Sequence, residues 1–129
     1  MAGMAAPSPA ASPFAPASNM ASGLQLLYST HPSREQAQQT ARALIDAQLA
    51  ACCTVLPGGE SHYIWEGALT VAEEVILLSK TTAGAAPRAM AEIVRLHPYA
   101  CPAVLGVDVA SAPDAFTAWV TGQISHENS

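Results

Sequence analysis

Residues 52–81, CCTVLPGGESHYIWEGALTVAEEVILLSKT, decide the fold. Cys52-Cys53-Thr54-Val55-Leu56 reads as a strand, and Pro57-Gly58-Gly59 interrupts it. Proline removes a ladder donor and glycine weakens a strand, so a bulge or bend is expected there. Ser61-His62-Tyr63-Ile64-Trp65 resumes the strand, and Glu66-Gly67-Ala68 is a turn signal. Residues 69–81 form the next strand, most apolar at Val75-Ile76-Leu77-Leu78. Two long strands joined by a tight glycine turn predict an antiparallel hairpin.

Working outward, Leu24-Gln25-Leu26-Leu27-Tyr28-Ser29-Thr30 is a short apolar run, a buried strand ended by Pro32-Ser33. Ser33 with Gln36 three residues on is a capping-box signature, and Glu35 suits a first helical turn. Ala37, Ala41, Leu44, Ile45, Gln48 and Leu49 then recur at helical spacing, predicting an amphipathic helix of about four turns. Past the hairpin, Pro87 fits the first turn of a second helix whose face carries Met90, Ile93, Val94 and His97, and Pro98 stops it. Residues 103–109, AVLGVDV, are a fourth strand. Ser111-Ala112-Pro113-Asp114 caps a short last helix anchored through Phe116, Trp119 and Val120. The order strand, helix, strand, strand, helix, strand is the split βαβ, ferredoxin-like arrangement of an α+β fold, here with an extra short C-terminal helix.

Sixteen of the first 22 residues are Ala, Pro or Ser, a composition that buries too little surface to offset its ordering entropy. A flexible extension over 1–22, a domain over 23–122 and a polar tail over 123–129 follow. The 129-residue chain has room for one domain. Half its residues are apolar but only 5% are aromatic, and much of the rest is alanine, so the core is thin. Small domains bury a low fraction of their surface, and burial between subunits would help.

Five Lys and Arg stand against ten Asp and Glu, for a net charge of −5. The cations Arg34, Arg42, Lys80, Arg88 and Arg95 are scattered, which excludes the basic footprint that nucleic acid or an anionic membrane surface requires. No apolar run approaches the roughly 20 residues that cross a bilayer. The N-terminal stretch has no charge before Arg34, and four prolines break any signal-like segment, so a cytoplasmic location is expected. An odd count of cysteines, Cys52, Cys53 and Cys101, then points to reduced thiols.

Phosphate loops, dinucleotide fingerprints, nucleophile elbows, C-x-x-C clasps and RNA-recognition signatures are all missing from the sequence, so no enzyme activity is expected. A cysteine nucleophile would need a base beside it. Cys101 follows His97 by four residues, but Pro98 and Pro102 break any helical facing. Cys52 and Cys53, adjacent on a strand, point to opposite faces and cannot share one ion; Cys52 is a small core residue or a ligand. His97 at a helix end is a cap or a metal ligand. His31, before a proline, and His62, on the hairpin, are expected at the surface, and His126 in a solvated tail. Tyr63, Trp65 and Glu66 sit near the hairpin tip, where an aromatic serves packing or an intersubunit contact. Lys80 marks a solvated strand end or an anion contact.

Leu49-Ala50-Ala51-Cys52, Tyr63-Ile64-Trp65-Glu66-Gly67, residues 74–81 (EVILLSKT) and His97-Pro98-Tyr99 together resemble the pattern of the CutA divalent-cation tolerance family, over residues 24–120. The resemblance implies a ferredoxin-like fold, a PII-like homotrimer with hairpins packed around a threefold axis, and a non-catalytic role in tolerance of copper and other divalent cations. Its cleft positions fall on Cys52, Trp65, Glu66, Lys80, His97 and Tyr99. It implies no required cofactor; copper or another divalent cation would use Cys52 and His97, with Glu66 as a third group. Departures are Ala100 and Ala103, where polar residues and a glutamate are usual. Where some bacterial members have a cysteine and a second histidine, this chain has Ser29 and Leu96. A copper site built from those groups would keep only His97, and one imidazole does not make a transition-metal site. The alternative expectation is a PII-like signalling or scaffold trimer that takes an anionic metabolite near Lys80, or a protein partner at its hairpin tips.

Overall fold

The computed structural model describes residues 22–125. The extension over 1–21 and the tail residues 126–129, His126 included, lie outside the described residues. Ser22 is already tied to the domain: its backbone N–H and its Oγ both donate to the Val109 carbonyl, at 3.3 and 2.9 Å.

The element order is β1 (Leu24–His31), α1 (Arg34–Asp46), β2 (Cys52–Trp65), β3 (Ala68–Thr82), α2 (Ala86–Leu96), β4 (Val104–Val109) and α3 (Asp114–Gln123). The sheet order is β2-β3-β1-β4, with every neighbouring pair antiparallel. This is the predicted α+β, ferredoxin-like fold with its additional C-terminal helix. Strand β3, inserted between β1 and β2, splits the βαβ unit.

Alternation along β1 assigns the two faces. Leu27, Ser29 and His31 point toward the helices, and Leu27 packs with Leu44 of α1 and with Ala86, Ala89 and Ile93 of α2. Ala37, Thr40 and Leu44 form the buried stripe of α1, so Ile45, expected on that face, is exposed. Val94 of α2 is likewise exposed, because Ala86, Ala89 and Ile93 carry the contact. Helix α1 stops at Asp46, and Gln48 takes a positive φ of 58°, so Gln48 and Leu49 lie beyond the helix rather than on it. In α3 only Val120 is fully buried. Phe116 and Trp119 face outward with ring centroids 6.1 Å apart, and the expected three-residue anchor reduces to one.

Ser33 caps α1 by accepting from the Gln36 N–H at 3.1 Å. The Gln36 side chain does not return to the cap; it is drawn into the domain, as described below. Pro57-Gly58-Gly59 is a bulge: the register slips by one residue between Leu56↔Ile76 and Gly59↔Glu74, and Gly58 has φ 94°. Glu66 (φ 50°) and Gly67 (φ 82°) form a two-residue turn with both central φ positive, the geometry matched to the right-handed twist of a hairpin.

Candidate functional site

The bulge decides what the upper hairpin shows. Residues paired across a ladder share a face, and a one-residue slip exchanges the faces. Past the bulge, Gly59, Ser61, Tyr63 and Trp65 stand opposite Glu74, Ala72, Thr70 and Ala68. Tyr63 and Trp65 therefore share the face of Glu74, which is also the face of Ile76, Leu78 and Lys80, away from the helices. The loop after α2 approaches the same face, and together they line a half-open cavity of about 570 Å³. Its walls include Thr30, Tyr63, Trp65, Glu74, Tyr99 and Ala103. Trp65 is 56% exposed, whereas Glu74 is only 6% exposed and its Oε2 has no hydrogen-bond partner among the described residues. Burial pushes the Glu74 carboxyl above its ordinary range, opposed by the nearby His97. Burial, with Glu74 and Tyr63 close by, likewise raises the Tyr99 phenol.

Behind this wall lies a buried polar relay. His31 is 0% exposed, contrary to its expected surface position, because β1 continues through it and turns its ring toward the helices. Gln36 Nε2 donates to the Leu96 carbonyl and to Thr40 Oγ1, both at 3.1 Å. Its Oε1 therefore accepts from His31 Nδ1, and His31 Nε2 accepts from Ser29 Oγ at 2.8 Å. His97 is also buried: Nε2 donates to the Thr30 carbonyl at 2.7 Å and Nδ1 accepts from the Tyr99 N–H at 3.1 Å. The ring of His97 lies between those of His31 (4.8 Å) and Tyr99 (4.7 Å). Each imidazole has both nitrogens engaged in its neutral form. His97 works as a clamp that ties the end of α2 to β1 and aims Tyr99 at the cavity.

The other expected residues lie elsewhere. Cys52 pairs with Lys80 across the ladder, and Lys80 Nζ donates to Thr54 Oγ1 at 2.5 Å, with Cys52 Sγ 3.8 Å away. Lys80 is thus half-buried and engaged rather than a solvated strand end. Cys53 points the other way, toward Ser79 Oγ at 3.5 Å, and burial raises its thiol pKa. Cys52 is level with Lys80 on β3, while His97 holds Thr30, which is level with Ile76. Four residues of strand, roughly 13 Å, separate those levels. Cys52 and His97 therefore do not meet within one chain. Glu66 stands exposed in the turn, and His62 is exposed and pairs with Glu60 at 2.8 Å.

The implied divalent ion does not fit this donor set. Both ring nitrogens of His97 are already committed, and among the described residues no three His, Cys, Asp or Glu side chains converge where an ion could sit. Of the six expected positions, the structure gathers Trp65, His97 and Tyr99 at one end of the sheet and Cys52 and Lys80 at the other. Glu74 and Thr30 were not anticipated, and Tyr63 was expected only as a hairpin-tip residue outside the cleft. The available signal was Glu73-Glu74 inside an apolar strand: alternation sends one carboxylate to each face, and one of them must meet the sheet.

Comparison with known proteins agrees with this architecture. The family model described as CutA1 divalent ion tolerance protein matches residues 25–123. The divalent-cation tolerance protein CutA of Thermus thermophilus is 36% identical over 91 residues, covering 70% of this chain and 88% of the relative. The crystal structure of CutA from Xylella fastidiosa superposes with a TM-score of 0.78 at 34% identity, covering 80% of this chain and 99% of that one. The structure of the periplasmic divalent cation tolerance protein CutA from Archaeoglobus fulgidus gives 0.77 at 26% identity, over 79% and 99% of the two chains.

Proposed function

The chain belongs to the CutA1 divalent ion tolerance family, and from that premise we propose that it serves cation tolerance without catalysis, as a homotrimer holding a small molecule in the cavity of Tyr63, Trp65, Glu74 and Tyr99. The observation that carries this reading is the open, aromatic-walled cavity with a buried, unpartnered carboxylate at its wall. Such a cavity, apolar with a few convergent polar groups and of this volume, has the usual character of a small-molecule site. Tolerance is then indirect: the protein responds to or carries a metabolite, and does not sequester copper on Cys52 and His97.

Assembly is supported by what one chain leaves uncovered. Both helices of the main core pack on one face of the sheet. On the other, Leu56, Leu105 and Val107 are exposed, and Ile64, Leu69 and Val71 are exposed on the opposite side of the hairpin from Trp65. An apolar surface of this kind marks an interaction site.

Native mass spectrometry of the purified protein, before and after copper loading and removal of free metal, tests the reading. A trimer without retained copper is expected. One copper per chain, lost in His97→Ala, would overturn it, and a monomer would remove the assembly.

A further inference from the structure

The cavity carries a charge preference that its shape alone does not. Glu74 is almost wholly out of water, and its Oε2 has no donor among the described residues. A carboxylate so placed is unfavourable unless something supplies a proton donor and a countercharge. No lysine or arginine is among the described residues that line the cavity, and His62, which does line it, is paired with Glu60 at 2.8 Å. Lys80 lies six residues further along β3 and is held by Thr54. His97, behind the wall, spends its Nε2–H on the Thr30 carbonyl and donates no hydrogen bond to Glu74. Three further lining residues, Tyr63, Trp65 and Tyr99, are aromatic, and aromatic faces attract cations.

We propose that the cavity binds a small organic cation bearing N–H donors, a primary ammonium or a guanidinium, with Glu74 Oε2 accepting its hydrogen bond and the rings of Tyr63, Trp65 and Tyr99 enclosing its charge. This rests on the small-molecule reading above and names the class of ligand. A hydrated divalent ion asks for about six oxygen ligands, and the single carboxylate among aromatic walls does not supply them. An anion would meet the Glu74 carboxylate directly. A quaternary ammonium would gain from the rings but leave the orphan oxygen without a donor.

The test is isothermal titration of the full-length protein with probes matched in size: n-butylammonium, n-butylguanidinium, tetramethylammonium, n-butanol and butyrate. Oligomer mass is measured on the same samples. The two N–H cations are expected to bind at least tenfold more tightly than n-butanol, tetramethylammonium or butyrate. Glu74→Gln should weaken them at least tenfold with mass preserved and the melting temperature not lowered, and Trp65→Ala should weaken both cations together. Equal binding of n-butanol or butyrate, or cation binding indifferent to Glu74→Gln, overturns the ligand class while leaving a small-molecule site in place. No binding of any probe, with the Glu74→Gln assembly falling apart, assigns the carboxylate to a neighbouring copy and overturns the proposal. Copper uptake lost in His97→Ala removes the reading beneath it.

Discussion

His31 and His97 stack at 4.8 Å and hold opposite tautomers, each set by a carbonyl that can only accept. For His97 that carbonyl is Thr30. For His31 it is Leu96, acting through the amide of Gln36. Replacing His31 by alanine leaves Ser29 Oγ and Gln36 Oε1 facing a cavity, and should cost about 3 kcal/mol by urea denaturation. The pH response has a definite sign. Burial lowers the His31 pKa from 6.5, the second histidine adds to this, and the hydrogen bond to Gln36 opposes it. Below pH 6.5 the unfolded chain takes up a proton that the folded chain refuses, so this residue's contribution falls as pH drops from 6.5 toward its depressed folded value. His31→Gln should flatten the stability profile between pH 7 and 5. Glu74 has the opposite sign. Its folded pKa is raised above 4.5 by burial, so the penalty for its charge is full above the folded value and absent below 4.5. With His97 and Tyr99 as the titratable groups facing it, Glu74→Gln should raise the melting temperature at pH 7.5 and change little at pH 4.

Among the elements, the hairpin rests on glycine both at its turn and at its bulge. Gly67 has φ 82° in the turn with open space around it, and Gly67→Ala should destabilise by about 1–2 kcal/mol in thermal unfolding, because a residue with a Cβ is strained at that φ. At Gly59, where φ is ordinary, a Cβ would come within 2.9 Å of the Glu74 carbonyl, so the objection there is space and not conformation. The bend at Pro57-Gly58-Gly59 is legible in sequence, but the size of the register slip is not. With no slip, His62 and Ile64 would share the face of Glu74 in place of Tyr63 and Trp65. At α1 the N-cap is legible at Ser33, and Ser33→Ala should cost about 1 kcal/mol. The reciprocal half of the capping box is lost, since Gln36 gains more by bridging β1 to the end of α2.

For the whole molecule, the sheet face around Leu56, Leu105 and Val107 and the side of the upper hairpin that carries Ile64, Leu69 and Val71 remain apolar and open in a single chain. The proposed trimer covers them. Ile64→Glu with Leu69→Glu, on the side of the hairpin away from the cavity, should lower the mass seen by sedimentation while far-ultraviolet circular dichroism stays unchanged. An unaltered mass would place the interface elsewhere.

The element order, the split βαβ topology, the hairpin and the Ser33 cap of α1 were readable from the chain, because propensity, periodicity and turn chemistry act over a few residues; the cap expected at residues 111–114 was not found, since α3 starts after Pro113 without a side-chain cap bond. Membership of the family was readable too, from four short motifs in order. What only the tertiary structure decided was which side chains meet. His31 is buried by one further residue of strand, His97 spends both nitrogens on backbone groups 67 and two residues away, and Cys52 stands at the opposite end of the sheet. Glu74 joins Tyr63, Trp65 and Tyr99 through a one-residue bulge and a loop from another element. Those relations depend on register and on long-range packing, which alternate faces with each residue and so cannot be summed from local preference.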